Sequence, residues 1–254
     1  PHYFLPFIGF ARGLRGSAPA LLTLSRGGRC PPHPPRYLRP KEAFGCERGC
    51  VFTFDHIAVA GETLDDAVAH SEAALGMALG PGGQHPYYAT HNRLVGLADG
   101  LYFEAIAPDP SQIKPSYPRW FGLDAFKGPA RLDKWILRCD DIEAAHAAFP
   151  EIGDPVRLTR GEVSWTMIVP KDGMLPFDGC FPAFIEWHVD APPGKSLPPT
   201  DRRLTELRVS HPQADQIEAR LAGAFEDRRV VFEVSDAPGL LARFETPDGP
   251  RVLR

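Results

Sequence analysis

Two ionisable residues of this chain lie on strand faces that are otherwise apolar. His56 shares its predicted face with Phe54 and Ala58, and Glu104 shares its own with Tyr102. Burying such groups is costly unless they are paired or bind a metal. An imidazole nitrogen with a carboxylate oxygen is a normal ligand pair for Zn, Mn, Fe or Ni, which act as Lewis acids. A hydrogen-bonded His–Glu pair without metal is the alternative, and the pattern alone leaves both open.

An approximate internal repeat places these two residues in a duplicated module. Residues 54–57 (FDHI) recur as 132–135 (LDKW), 78 positions later, and residues 101–105 (LYFEA) recur as 183–187 (AFIEW), 82 positions later. Each copy therefore opens with a strand and closes, about fifty residues later, with a strand that holds one acid. A duplicated module can bring residues from both halves into one shared cavity, so we expect the functional site there.

The second copy of the repeat leaves the ligand set open. Glu186 repeats Glu104 and favours a metal, but Lys134 stands where a second histidine is expected, and a protonated lysine cannot ligate. The residues allow a three-ligand site of His56, Glu104 and Glu186 with open positions for water and substrate. They equally allow a Lys134–Glu186 ion pair with no metal. His188 alternates onto the face of Glu186 and is a reserve ligand.

A glycine-rich stretch over residues 82–86, followed by residues 90–92 (THN), is a candidate wall of a binding pocket. Glycine lets a backbone approach a ligand closely, and His, Thr and Asn offer donors and acceptors. Farther along, an arginine and a tryptophan could hold an anionic or flat substrate. The predicted substrate-binding residues are His85, His91, Asn92, Arg160 and Trp165. For the glycine-rich stretch the alternative is a plain loop, and for Arg160 the alternative is a solvated turn.

The elements that must position these residues follow a β-α-β-β order three times. In the first copy, the capping signal at Thr63 and the stop at Gly76 bound a helix. Asp99-Gly100 predicts a hairpin turn. The predicted strands of this copy cover residues 54–60, 92–97 and 101–107, with a short one near 85–90. In the second copy the strands cover 135–139, 163–169 and 184–189, with a helix from Asp141 to Phe149. In the third copy they cover 204–209, 230–234 and 240–244, with a helical face over 214–224.

Composition excludes several classes of function. The net charge is −4, and residues 1–50 carry seven Arg and one Lys against two Glu, so the rest of the chain is acidic. An acidic body without a basic stripe makes nucleic acid an unexpected partner. No apolar stretch reaches the roughly 20 residues that a membrane helix needs. The five cysteines include no Cys-x-x-Cys pair, and a cytoplasmic location with a small molecule as partner is the expectation.

Four segments together resemble the glyoxalase-like domain of the vicinal oxygen chelate superfamily, which includes glyoxalase I, extradiol dioxygenases and bleomycin- or fosfomycin-resistance proteins. They are Phe54–Ile57, the Gly82-Gly83-x-His85 run, Thr90–Asn92 and Tyr102–Pro108. The resemblance covers roughly residues 53–190. It implies an α+β fold in which two βαβββ modules form a curled mixed sheet around a cavity. Residues 191–254 would add a C-terminal βαββ subdomain.

The resemblance also implies a mechanism. In metal-binding members the ligands come from the first and last strands of each module, which corresponds here to His56, Glu104 and Glu186, while Lys134 departs from that pattern. The implied function is a metal-dependent enzyme of the lyase, isomerase or dioxygenase type. A divalent ion would chelate adjacent oxygens of a small substrate, and Glu104 or Glu186 would move the proton. A non-catalytic binder of the drug-resistance type, which can tolerate Lys134, is the alternative. A structural or regulatory domain whose ionisable pairs only satisfy each other is a third. A homodimer is plausible for this fold.

Residues 1–50 do not follow the pattern of a folded domain. They hold eight prolines, with Arg and Gly recurring without period, and their Cys46 and Cys50 lack a second pair for a zinc site. Their Arg-rich, acid-poor composition resembles a transit peptide. We expect the functional chain to start near Val51. Intact mass of the protein from its native source should lack residues 1–50, and a mass that includes them would contradict this expectation.

Overall fold

The structure is a computed structural model that describes residues 51–254. These residues belong to one compact unit. The expected N-terminal extension over residues 1–50, with its Cys46 and Cys50, lies outside the described residues. The proposed division of the remainder at residue 190 stays a prediction. None of the helices in the described part is long and apolar enough to cross a membrane.

The first module has the predicted βαβββ order. Its helix begins where the Thr63 hydroxyl accepts a hydrogen bond from the backbone N–H of Asp66, at 3.1 Å. The helix ends at Gly76, whose φ of 65° is left-handed and favours glycine. The elements are β1 (Thr53–Ala60), α1 (Leu64–Leu75), β2 (Gln84–His85), β3 (Thr90–Gly96) and β4 (Tyr102–Pro108). The cap and the stop that the sequence signalled therefore fix the length of α1.

The second module repeats that order. Asp141 caps its helix by accepting a hydrogen bond from the backbone N–H of Ala144, at 2.9 Å. The elements are β5 (Arg131–Arg138), α2 (Ile142–Ala148), β6 (Asp154–Arg160), β7 (Val163–Val169) and β8 (Ala183–Trp187). The sequence analysis did not predict β6, because Leu158 is its only buried residue and Pro155 interrupts it. As the edge strand of its sheet, β6 tolerates that proline.

The two modules join into one eight-stranded mixed sheet with the order β2-β3-β4-β1-β5-β8-β7-β6. Within each module the first strand pairs in parallel with the last, β1 with β4 and β5 with β8. Antiparallel pairing of β1 with β5 connects the modules at the centre. The expected α+β fold with two modules in a curled sheet is confirmed.

A four-residue helix, α3 (Pro193–Ser196), leads to a second, four-stranded sheet. Its elements are β9 (Arg203–His211), α4 (Ala214–Leu221), β10 (Val230–Val234), β11 (Gly239–Glu245) and β12 (Arg251–Leu253). The predicted βαββ subdomain is present, and β12 extends it. Here the first strand pairs in parallel with the strand directly after the helix, in the order β10-β9-β11-β12. The subdomain is therefore not a third copy of the module.

The apolar core lies between the two sheets and around α1 and α2. Trp135 is fully buried, and its ring lies 5.9 Å from that of Phe225 and 6.2 Å from that of Phe232 in the C-terminal subdomain. Backbone hydrogen bonds reinforce the contact, from Phe52 to Ala224 at 2.8 Å among them. Each large apolar side chain buried this way contributes roughly 1.5–3 kcal/mol. The convex side of the main sheet is therefore covered by packed side chains, and the concave side is the one that can hold a cavity.

Gly82 provides a test of how β3 is placed. A Cβ on Gly82 would lie 1.7 Å from the carbonyl oxygen of Asn92, so only glycine allows this approach. We expect Gly82→Ala to lower the free energy of unfolding by roughly 1–3 kcal/mol through overpacking. Urea unfolding measures the change. Gly239→Ala is the control, since a Cβ there meets nothing within 4 Å, and equal stability of the two variants would contradict the packing.

Candidate functional site

The concave side of the main sheet encloses a cavity of about 380 Å³, counted out to its solvent mouth. Both modules contribute to its walls. The polar lining residues are His56, His85, Asn92, Tyr102, Glu104 and Arg160. The principal apolar lining residues are Trp120, Phe121, Trp165, Met167, Ile185 and Trp187. The structure thus brings together six of the sequence-predicted site residues, which are His56, His85, Asn92, Glu104, Arg160 and Trp165.

A β-bulge brings Asp55 to the same side as His56. Phe54 pairs with Leu137 and His56 with Ile136, so Asp55 is an extra residue in β1. Strict alternation would point Asp55 away from His56. Instead, its Oδ2 lies 2.8 Å from His56 Nδ1, and both side chains are buried. The indole N–H of Trp187 donates to both carboxylate oxygens at 3.3 Å, which holds the carboxylate in place.

His56 lies between two carboxylates. Its Nε2 is 3.6 Å from Glu104 Oε2 and 3.3 Å from Tyr102 Oη, and the Tyr102 ring stacks on the imidazole at 4.1 Å. Burial alone would lower the pKa of His56, but hydrogen bonds and charges from Asp55 and Glu104 outweigh it and raise the pKa above 6.5. The two carboxylates therefore favour the charged form of the imidazole.

Glu104 is correspondingly held as a carboxylate. Burial tends to raise its pKa, but the hydrogen bond and charge of His56, with help from His85 and Asn92, bring the net pKa below 4.5. The Asn92 amide donates to Glu104 Oε1 at 2.6 Å. Burial and the neighbouring carboxylates raise the pKa of Tyr102 well above 10, so its hydroxyl stays protonated. The floor of the cavity thus sets the imidazole of His56 and the hydroxyl of Tyr102 against two carboxylates, and Arg138 Nη1 lies 3.6 Å from the Oδ1 of Asp55.

Asn92 connects this floor to Arg160. Its Oδ1 accepts hydrogen bonds from the backbone N–H of Gly83 at 2.9 Å and from Arg160 Nη1 at 3.2 Å. Because the same side chain donates to Glu104, its amide orientation is fixed. Arg160 Nη1 also lies 3.3 Å from His85 Nε2. One amide side chain therefore separates the guanidinium of Arg160 from the carboxylate of Glu104.

His85 is a neutral part of the wall. Its Nδ1 lies 3.0 Å from Thr90 Oγ1, which also accepts the indole N–H of Trp120 at 3.2 Å. Burial lowers its pKa to about 4, with Glu104 opposing the shift and the charge of Arg160 adding to it. An uncharged His85 can accept a hydrogen bond from Arg160.

The structure places Glu186 outside the cavity. Ile185 and Trp187 line the cavity, so Glu186 between them points to the other face of β8. There its Oε2 accepts a hydrogen bond from the backbone N–H of Ile142, at 3.2 Å, at the start of α2. The structure does not bring Glu186 together with His56 and Glu104.

The strand register explains this placement. In the first module His56 pairs with Tyr102, 46 positions later, and in the second Ile136 pairs with Ala183, 47 positions later. When Lys134 is matched to His56, the residue 47 positions later, Phe181, corresponds to Tyr102. Two positions further along the chain, Ala183 therefore corresponds to Glu104 and lies three positions before Glu186. An odd shift reverses the face of every side chain. The sequence similarity between the strand of Glu104 and the strand of Glu186 therefore does not reflect equivalent positions in the structure.

Three further residues of the sequence analysis also lie away from the cavity lining. His91 points to the opposite face of β3 from Asn92, is 24% exposed, and lies 3.9 Å from Asp109. His188 Nε2 contacts Thr166 Oγ1 at 2.8 Å. Lys134 is buried and forms an ion pair with the carboxylate of the adjacent Asp133. The Lys134–Glu186 pair that the sequence allowed is not formed.

Sequence reasoning missed four residues of the site. Tyr102 and Trp187 lie on predicted strands, and the sequence analysis placed Tyr102 on the face of Glu104 without assigning it a role in the site. Asp55 depends on a bulge that the sequence does not signal. Trp120 lies in a short 3₁₀ turn, Trp120–Gly122, within a segment to which no element was assigned.

The donor set does not fit a resident metal. His56 Nε2 and Glu104 Oε2 are near each other, but the second module offers Ile185, Trp187 and Met167 to the same space. Across residues 51–254 there is no group of three or more His, Cys, Asp or Glu side chains that could hold a metal ion. A divalent ion is normally bound by three or four protein ligands, and the second module places no His, Cys, Asp or Glu among the lining residues of this cavity.

Comparisons with known proteins agree with this fold. The family model described as a glyoxalase-like domain matches residues 54–225. A hypothetical protein from Staphylococcus aureus is 16% identical, with a TM-score of 0.52 over 74% of this chain and 88% of that one. A methylmalonyl-CoA epimerase from Mycobacterium tuberculosis is 19% identical, with a TM-score of 0.35 over 53% of this chain and 85% of that one. A comparison with curated protein sequences found no match.

The neutral state of His85 predicts a pH dependence of stability. Its folded pKa of about 4 lies below the unfolded value of 6.5, so the unfolded chain binds the proton more readily. The contribution of His85 is complete above pH 6.5 and is lost as pH falls from 6.5 toward 4, by about 3 kcal/mol. Urea unfolding between pH 7.5 and 4.5 should show a shallower loss in His85→Gln than in the wild type.

The control for this experiment is His70→Gln, which alters a histidine of α1 that contacts the backbone carbonyl of Arg254 and is not among the groups that shift the pKa of His85. The difference between the wild type and His85→Gln should persist when both carry His70→Gln. Identical curves for His85→Gln and the wild type would contradict a neutral buried His85.

Proposed function

Because the chain belongs to the glyoxalase-like domain family, we propose that it is an enzyme that moves a proton on a small oxygenated substrate held in the cavity. The observation that supports this function is the buried Asp55–His56–Glu104 arrangement at the cavity floor. Buried titratable groups with specific charge partners inside a cleft are typical of acid–base sites. Tyr102 adds a hydroxyl donor at the same place.

Each group has a role that its charge state supports. The carboxylate of Glu104 removes a proton from the carbon next to a carbonyl of the substrate, and the electron pair of that C–H bond moves onto the carbonyl oxygen. The charged imidazole of His56 and the hydroxyl of Tyr102 donate hydrogen bonds to that oxygen. Return of the proton from Glu104 to the same or a neighbouring carbon gives an isomerase-type outcome. Asp55 positions His56 and keeps it charged.

We place the metal-dependent forms of this function second, since the donor set around His56 lacks a third ligand. Lyase and isomerase chemistry can proceed through proton transfer alone, whereas dioxygenase chemistry needs a redox metal. Glu186, on the far face of β8, has no role in the proposed reaction.

A non-catalytic binder is the other candidate, and the cavity walls favour it. Trp120, Trp165 and Trp187 surround the cavity, and aromatic walls of this kind suit sequestration of an apolar ligand. The two functions differ in what they require of Glu104. A binder needs no proton acceptor, whereas the proposed enzyme loses its activity without one. A homodimer and a cytoplasmic location stay predictions for either function.

Proton exchange tests the enzyme directly. Deuterium uptake from D₂O into pyruvate, hydroxyacetone and phenylpyruvate can be followed by proton NMR without a known physiological substrate. We expect enzyme-dependent exchange in at least one compound and a loss of 100-fold or more in Glu104→Gln, the range for a general base. Glu186→Gln is the matched control and should retain exchange, because it alters an acid on the other face of the sheet.

Two outcomes would contradict the enzyme. Exchange that is equal in Glu104→Gln and the wild type would remove Glu104 from the reaction. A lack of exchange in every compound, in protein shown by urea unfolding to be folded, would favour the binder.

Elemental analysis tests the ligand set. Protein purified without a chelating tag and dialysed against metal-free buffer should hold well below one equivalent of Mn, Fe, Co, Ni or Zn, because only two donors converge. Near one equivalent that is lost in His56→Ala would contradict the metal-free site.

A further inference from the structure

We infer that Arg160 binds the carboxylate group of the substrate, so the substrate class is a small 2-oxo monocarboxylate with an apolar body. This inference rests on the proposed function, because it assigns the substrate of the same cavity. Arg160 lies on β6, in the second module, and faces the acid–base groups of the first module across the cavity.

The guanidinium of Arg160 has only neutral contacts in the described part of the chain. Its Nη1 approaches His85 Nε2 at 3.3 Å and Asn92 Oδ1 at 3.2 Å. The buried or half-buried Arg119 and Arg229 behave differently, because they pair with Asp124 and Asp227 respectively. A guanidinium that lines a cavity without a carboxylate partner retains its charge and its forked donors for an anionic ligand.

The surrounding backbone is shaped to admit this side chain. A Cβ on Gly83 would lie 2.8 Å from Cδ of Arg160, so the arginine passes directly over a glycine. Asn92, which is itself buried and tied to the Gly83 backbone at 2.9 Å, orients the guanidinium. The position of Arg160 is therefore set by contacts on two sides, unlike that of an arginine in a solvated turn.

Arg160 is also placed suitably for the proposed reaction. Asn92 accepts a hydrogen bond from Arg160 and donates one to Glu104 Oε1 at 2.6 Å, so its amide group connects the guanidinium with the carboxylate. A carboxylate held by Arg160 places the carbonyl oxygen on the adjacent C2 of a 2-oxo acid toward His56 and Tyr102. Carbon C3 then presents its C–H bond to Glu104, and the electron pair of that bond moves onto the C2 carbonyl oxygen.

The remaining walls define the body of the substrate. The rings of Trp165 and Trp187 lie 5.7 Å apart, and those of His85 and Trp120 lie 5.1 Å apart. These rings offer apolar and planar surface. The body of the substrate that these walls favour is therefore apolar.

Calorimetric titration tests this assignment with two matched pairs of probes, pyruvate with pyruvamide and benzoate with benzamide. Each pair differs only in whether the group facing Arg160 is charged. We expect the carboxylate of at least one pair to bind about 10- to 100-fold more tightly than its amide, as for a charge-assisted hydrogen-bonded pair. Arg160→Gln should abolish that preference, and Arg160→Lys should retain part of it.

Arg157→Gln is the matched control, because Arg157 is an exposed residue of the same strand. It should leave the carboxylate preference unchanged. Glu104→Gln should lose proton exchange yet keep the preference, which separates a failure of the anion site from a failure of the reaction.

Three results would overturn the assignment. In the first, the carboxylates and amides bind wild-type protein equally. In the second, Arg160→Gln weakens both members of a pair by the same factor, which indicates a structural role in holding Asn92. In the third, no probe binds folded protein at millimolar concentration.

Discussion

The buried imidazole of His56, held between the carboxylates of Asp55 and Glu104, is the interaction on which the rest of the site depends. Charges out of water are costly unless their partners are well placed. Trp187 donates to Asp55 at 3.3 Å, and Asn92 donates to Glu104 at 2.6 Å, so each carboxylate has a second partner. Removing one donor would leave a buried acceptor unsatisfied. The side chains around His56 are therefore restricted to an arrangement that keeps both carboxylates hydrogen-bonded.

The two modules share a topology but contribute different chemistry. The first supplies the ionisable groups of the floor, and the second supplies Arg160 and the indoles of Trp165 and Trp187. At the place that corresponds to Glu104, the second module carries Ala183, and its buried Lys134 is paired with Asp133. The two modules thus have one topology, while the ionisable groups of the floor lie in the first and two of the indoles of the wall lie in the second.

Local signals in the sequence predicted much of this arrangement. The helix cap at Thr63 and the apolar neighbours of His56 and Glu104 depend on residues near in sequence, and alternation placed each of the two residues on an apolar face of its own strand. What the sequence did not predict depends on pairing between distant strands. The bulge at Asp55 and the three-residue offset that turns Glu186 away are properties of strand register, which a single sequence does not reveal.

The most direct test of the central interaction is the titration of the ring nitrogens of His56 by ¹⁵N NMR in the wild type and in Asp55→Asn. We predict a pKa above 6.5 in the wild type, since the two carboxylates outweigh burial. The pKa should fall in Asp55→Asn, because the hydrogen bond and charge of Asp55 are lost while burial remains. A wild-type His56 that titrates at or below 6.5, or an Nε2 signal that changes on addition of EDTA, would contradict this account.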